Sequence, residues 1–244
     1  MQLAQYFANQ DGIISFSEEQ ASAFAKGIAG DFNPIHDPGG KRFCVPGDLL
    51  FCVLLHHYGV AQTTAVQFSG MLDGKTRMVL PDAAEKQLHI VDTRDKALLS
   101  LFLDGNRYTN EGFASALSEA YVKFSGQTFP DILVPLMREA NVMINPDRPL
   151  VIYKDMAIEL SANVDDNSGG PISLSLSKTD ISVNGRKGAV TLRFDINLDG
   201  AAIGTGEKNM VLSGLREYDD EAMQNIVNQY TSWRESYSGV SNEV

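Results

Sequence analysis

Within eight residues, Ala29-Gly30-Asp31-Phe32-Asn33-Pro34-Ile35-His36, the chain gathers a carboxylate, an amide and an imidazole around an Asn-Pro pair. Proline fixes its own φ and Asn favours turns, so the segment must bend. On such a bend Asp31 and His36, five residues apart, can converge. An imidazole titrates near neutrality and a neighbouring carboxylate holds its tautomer. The pair therefore suits general acid–base work. The alternative is a loop whose polar groups bond only their own backbone. Asn33 is read as the amide that ties the loop together.

Other residues could join the chemistry. Gly47 opens an apolar segment; at a helix N-terminus its N–H would face a developing negative charge, or it is simply a helix-start glycine. Asp48 follows it. His56 and His57 close that segment. Adjacent side chains diverge, so a core or interface role is expected for them rather than one shared site. His89 alternates within a strand candidate. Cys44 and Cys52 have neither the number for a disulfide framework nor the pattern for zinc, and read as small buried apolar residues. Lys41-Arg42 and Lys75 with Arg77 are basic groups for a phosphate, without a phosphate motif. No metal site is expected.

The elements that must position these residues read as follows. Residues 12–16 suggest a strand. Ser17 to Gln20 is a capping-box pattern that opens a helix with Phe24 and Ile28 on one face, stopped by Gly30. Six Gly or Pro residues punctuate 30–46, and a loop of that length inside a domain is usually functional. The segment from Gly47 is apolar on nearly all sides and reads as a buried helix. Strands are expected at 63–72, 75–81, 86–93, 97–105 and 113–124, with Asp73-Gly74 as a hairpin turn. After a break at 125–129, residues 130–144 read as a second helix. Strands follow at 150–162, 171–183, 188–198 and 201–213, with Asn184-Gly185 and Asp199-Gly200 as hairpin turns. Residues 218–237 read as a surface helix whose first turn is acidic, and 238–244 as a frayed end. Helix followed by meander thus occurs twice, without clear identity between the halves. The predicted fold is α+β, a double hot-dog: two antiparallel sheets, each wrapping a central helix, packed as a pseudo-dimer. The expected division is 1–125, 126–216 and a tail at 217–244.

Gly30-Asp31-Phe32-Asn33-Pro34-Ile35-His36 resembles the signature of MaoC-like, (R)-specific enoyl-CoA hydratases, which runs Gly-Asp, any residue, Asn-Pro, an aliphatic, then His. The resemblance covers roughly residues 12–124. It implies a hot-dog half in which Asp31 and His36 hold a water and add it to a trans-2-enoyl thioester. It also implies that Asn33 and Gly47 serve the substrate, Gly47 through its N–H at the thioester oxygen. The second half resembles the fold without its motif. Three positions depart from the family pattern. Pro46 stands where His commonly precedes the helix glycine. Pro38 replaces Asp, Ala or Ser two residues after the motif His. Leu55 occupies the place of a supporting hydroxyl. These departures keep a non-catalytic protein binding acyl-CoA or fatty-acyl ligands in view, along with a thioesterase using Asp48.

Composition narrows the field. The 244 residues carry a net charge of −11 and a pI near 4.7, which argues against nonspecific nucleic-acid binding. The longest apolar run, 49–55, is far too short for a membrane span. The N-terminus lacks signal-peptide features, and two cysteines fit a reduced, cytoplasmic setting. No cofactor is expected beyond CoA or an acyl-carrier thioester as substrate, and a homodimer is a possible assembly.

Overall fold

The computed structural model describes residues 1–83, 85–146, 150–167 and 169–237; the end expected to fray, 238–244, lies outside the described residues. Strands β1 (Ala8–Gln10) and β2 (Ile13–Ser15) lead into helix α1 (Glu18–Phe24). Ser17 and Gln20 form the expected reciprocal capping box. The long loop delivers helix α2 (Gly47–Tyr58), then β3 (Val60–Phe68), β4 (Arg77–Val79), β5 (Gln87–Asp92) and β6 (Ala97–Tyr108). Helices α3 (Glu111–Gly126) and α4 (Leu133–Glu139) and a short strand β7 (Val142–Met143) follow. The chain then forms β8 (Val151–Leu160), β9 (Ile172–Asn184), β10 (Lys187–Leu198), β11 (Ala201–Ser213), β12 (Arg216–Glu217) and helix α5 (Asp220–Ser236).

Ten strands form one antiparallel sheet in the order β1-β2-β4-β5-β6-β3-β8-β11-β10-β9. From the central β3–β8 junction outward, one side runs β3-β6-β5-β4 and the other β8-β11-β10-β9. The two halves thus repeat one topology about the junction, where Ala65 faces Ala157. Each half is preceded by its own helix, α2 for one and α3 for the other. This is the double hot-dog fold. The spacing of buried residues explains why α2 sits inside: Asp48 through Leu55 are all buried, with no face left for solvent. Phe51 of α2 packs on Tyr121 of α3, with ring centroids 4.8 Å apart. A second apolar cluster joins Leu133, Met137, Ile144, Leu192, Met210, Leu212 and Met223, so α4 and α5 cover the outer part of the second half. No described helix is long and apolar enough to cross a membrane.

Several expectations need correction. Residues 113–124 are not a strand but the greater part of α3. Asn110 caps it by accepting the Phe113 N–H at 3.1 Å, and Phe113, Leu117, Tyr121 and Phe124 recur at helical spacing on its buried side. The long helix expected at 130–144 shrinks to α4, which ends at Glu139; Ala140 follows, Asn141 takes a left-handed conformation and β7 begins. Asp73-Gly74 turns the chain but joins no hairpin, because β3 pairs with β6 and β8 while β4 pairs with β2 and β5. His56 and His57 are solvent-exposed at the end of α2 and not in the core. The turns at Asn184-Gly185 and Asp199-Gly200 do close hairpins, and Asp199 and Gly200 both have positive φ, as a two-residue hairpin turn requires.

Candidate active site

Helix α1 ends in a π-turn, Ala25–Ala29, closed by Gly30 in the left-handed region at φ 67°. The Asp31 N–H bonds back to the Ala25 carbonyl at 2.8 Å, and so the carboxylate is launched from a fixed helix end. One Asp31 oxygen accepts the Asn33 N–H at 2.9 Å. Asn33 Oδ1 in turn accepts the Ile35 N–H at 3.3 Å and opens the 3₁₀ turn Pro34–His36. The amide therefore ties the loop, as its position suggested. The loop then doubles back: the Cys44 N–H donates to the Ile35 carbonyl at 2.8 Å, and His36 Nδ1 lies 2.7 Å from the Cys44 carbonyl. That carbonyl can only accept, which puts the Nδ1 proton on the imidazole and leaves Nε2 toward Asp31.

His36 Nε2 stands 3.5 Å from Asp31 Oδ2. The imidazole is buried and the carboxylate partly so. Burial opposes both charges, yet the interaction between the two groups, joined by the Asn33 N–H at Asp31 and the Cys44 carbonyl at His36, outweighs it. The Asp31 carboxyl is held below its ordinary value of 3.8 and the His36 imidazole above 6.5. The sign of the pH dependence follows. His36 contributes its full stabilisation below pH 6.5 and loses it as pH rises through its raised folded value; Asp31 contributes above pH 3.8 and loses it as pH falls through its lowered one. The thermal stability that wild type holds over His36→Gln is therefore expected to be greatest between those two values and to shrink on the alkaline side. Equal differences at all pH values would refute the ion pair.

A cavity of about 120 Å³ lies against this pair, room for several waters. Asp31, Asn33, His36 and Gly47 line it from the first half. Ser125, Thr128, Phe129, Leu133, Tyr153 and Met210 line it from the second, and Tyr230 from α5. Most of the remaining wall is apolar, including Leu50, Phe68 and Leu72. Gly47 occupies the first position of α2, where a backbone N–H has no helical acceptor. A side chain there would come within 2.7 Å of the Tyr153 ring, so only glycine lets the helix start approach the cavity this closely.

The three departures from the hydratase pattern find local explanations. Asp37-Pro38-Gly39-Gly40 is a turn closed by the Gly40 N–H on the Asp37 carbonyl, with Gly39 at φ 74°; Pro38 serves that turn. Pro46 caps α2 without a side-chain hydrogen bond, and Leu55 is buried core. Support arrives from elsewhere. The Tyr230 hydroxyl donates to the Gly30 carbonyl and accepts the Phe32 N–H, both at 3.1 Å, and its ring packs edge-on against Phe32. Tyr230→Phe is expected to cost about 1–3 kcal/mol, since it strands a buried N–H, and to speed hydrogen exchange at Phe32. Unchanged exchange there would show that α5 does not hold the loop.

Sequence reasoning also missed a buried polar cluster behind the cavity. Lys208 of β11 is fully buried, 3.7 Å from Asp48 Oδ1 and 3.4 Å above the Tyr153 ring. Ser125 Oγ donates to Asp48 Oδ2 at 2.5 Å, accepts from Lys208 and lies 3.1 Å from Tyr153 Oη. Burial pushes the Lys208 ammonium down to about 8, against the pull of Asp48 and Asp31. A signal existed: Lys208 shares the inward face of its strand with Met210 and Leu212. Ser125 and Tyr230 carried none: one lies in the expected break at 125–129, the other in the expected surface helix. His89, Lys41, Arg42, Lys75 and Arg77 are all exposed. Cys52 is buried; Cys44 is partly buried, its thiol pushed up to about 11 by burial.

A family model described as "Protein of unknown function (DUF3581)" matches residues 1–221. The chain belongs to the DUF3581 family. Among curated proteins, none matches the DUF3581 chain in sequence. Solved structures similar to it include a hot-dog protein from Alicyclobacillus acidocaldarius, 8% identical over 87% of this chain and 98% of that one, with a TM-score of 0.46. An acyl-CoA thioesterase II from Mycobacterium marinum is 8% identical over 90% and 99%, with a TM-score of 0.40. A MaoC-like dehydratase from Phytophthora capsici is 12% identical over 84% and 96%, with a TM-score of 0.34.

Proposed function

We propose that this DUF3581 protein is a hydratase or dehydratase of acyl thioesters carried on CoA or an acyl-carrier protein. The observation that carries the reading is Asp31 and His36 facing each other at 3.5 Å on the wall of a largely apolar cavity. A water bonded to both groups from the cavity side would give a proton to Asp31 as its oxygen bonds to C3 of an enoyl thioester, while His36 delivers a proton to C2. The π electrons pass through an enolate whose oxygen meets the Gly47 N–H. Asn33 keeps the pair on one bend. No cofactor takes part in this sequence of steps. The proposal extends to a cytoplasmic protein, for which free Cys44 and Cys52 are suited, and to assembly as a homodimer.

Hydration of crotonyl-CoA tests it directly. Asp31→Asn and His36→Ala are each expected to lower the rate about a hundredfold or more while leaving the fold intact. Turnover that survives both substitutions would sink the assignment. Binding of the thioester without turnover by wild type would leave an acyl-binding protein in its place.

A further inference from the structure

We propose that Ser125 is a second reactive group of the same cavity, a nucleophile with Lys208 as its base that accepts the acyl group of a thioester. The inference shares the thioester cavity with the hydratase reading but uses none of its acid–base pair. Ser125 stands on the cavity wall at the end of α3. A serine hydroxyl becomes nucleophilic when a base within hydrogen-bond reach takes its proton and a third group orients that base. As an ammonium Lys208 donates to Ser125 Oγ, whose own proton is held by Asp48. Once neutral, the amine at the same place has a lone pair to take that proton, and Asp48 at 3.7 Å with the Tyr153 ring at 3.4 Å fixes the lysine from two other elements. Packing alone does not call for this charge, since a well-packed apolar pair is often at least as stable as a buried ion pair.

A second observation points to a ligand. Thr128 lines the cavity one turn beyond Ser125, and its Oγ1 is buried with no hydrogen-bond partner among the described residues. A buried hydroxyl left unpaired is costly unless something that enters the cavity bonds to it. A carbonyl oxygen would do so, with the Gly47 N–H as another donor on the same wall. In the step itself, the Ser125 proton passes to neutral Lys208 as Oγ bonds to the thioester carbonyl carbon. The carbonyl π pair moves onto oxygen, then returns to break the C–S bond, and the sulfur leaves with the proton held by Lys208. Water next attacks the acyl-serine, Lys208 takes its proton, and the serine oxygen recovers it as the carboxylic acid departs.

Butyryl-CoA tests this apart from hydration, because a saturated thioester has no double bond to hydrate. The full chain is mixed with butyryl-CoA, free thiol is followed with a chromogenic disulfide, and the quenched protein is mapped by mass spectrometry. We expect thiol release and a butyryl group on Ser125. The rate should climb about tenfold per pH unit and level off above about 8, where Lys208 becomes neutral. Asp48, Asp31, Tyr121 and Tyr153 are the other titratable groups facing Lys208; the contribution of His36, beyond Asp31, is read separately from crotonyl-CoA hydration. Ser125→Ala should lower thiol release about a hundredfold or more. Should that variant not fold, Ser125→Cys keeps a nucleophile and should carry the butyryl group as a thioester. Wild type that neither releases thiol nor acquires an adduct overturns the inference, as does an adduct on another residue or release that persists in folded Ser125→Ala. Butyryl transfer without crotonyl-CoA hydration would uphold it and sink the hydratase reading alone.

Discussion

Lys208→Met is expected to destabilise the protein by about 3–5 kcal/mol, a fall in Tm on the order of 10 °C. The substitution keeps most of the side-chain volume but removes the charge that stands 3.7 Å from Asp48. Asp48 is itself 2% exposed, so its charge would be left without the solvation of bulk water. Its carboxylate would keep the Ser125 hydroxyl at 2.5 Å and the Tyr153 hydroxyl at 3.4 Å, neither of which cancels a charge. The double variant Asp48→Leu with Lys208→Met is expected to recover most of the loss, since it leaves no buried charge uncompensated. Denaturant unfolding of the two variants beside wild type measures the difference. A single variant as stable as wild type would show that the pair is not coupled as drawn.

Gly126→Ala is the second large effect. A Cβ at this position would lie 1.4 Å from the Ala29 carbonyl oxygen and 2.6 Å from its carbon. Both are backbone atoms of the turn that launches Asp31, so no side-chain rotation relieves the clash. Either α3 withdraws or the motif loop moves. The expected cost is about 3 kcal/mol or more, at the upper end of overpacking effects, together with loss of crotonyl-CoA hydration. Gly70→Ala is the matched control: it lines the same cavity, yet an added Cβ meets nothing within 4 Å. It should stay within about 0.5 kcal/mol of wild type. A harmless Gly126→Ala would mean that α3 and the end of α1 are not in contact.

How much could be read in advance depends on the range of the interaction concerned. The Ser17–Gln20 capping box, the Gly30 stop, the Asn33 tie and the two-residue hairpin turns are settled within a few residues of themselves, and each is visible as residue type and spacing. Residues 113–124 failed because Ala, Ser and apolar residues there fit either period, and burial against α2 and β9 selects the helix. With that error went the identity of the second central helix, assigned to 130–144 when it is α3.

The candidate site divides along the same line. The sequence alone determined that Asp31, Asn33 and His36 share one sharp bend ahead of a buried helix opening at Gly47, because proline, glycine and an apolar run dictate this locally. Tertiary structure decided what surrounds them. Tyr230 arrives from about two hundred residues away to hold Gly30 and Phe32. Ser125, Tyr153 and Lys208 come from a helix and two strands of the second half to meet Asp48. The burial that lowers the lysine, the cavity and the close passage of Gly126 over Ala29 all arise from packing between the halves. Such contacts depend on which distant surfaces exclude water together, and no local spacing encodes that.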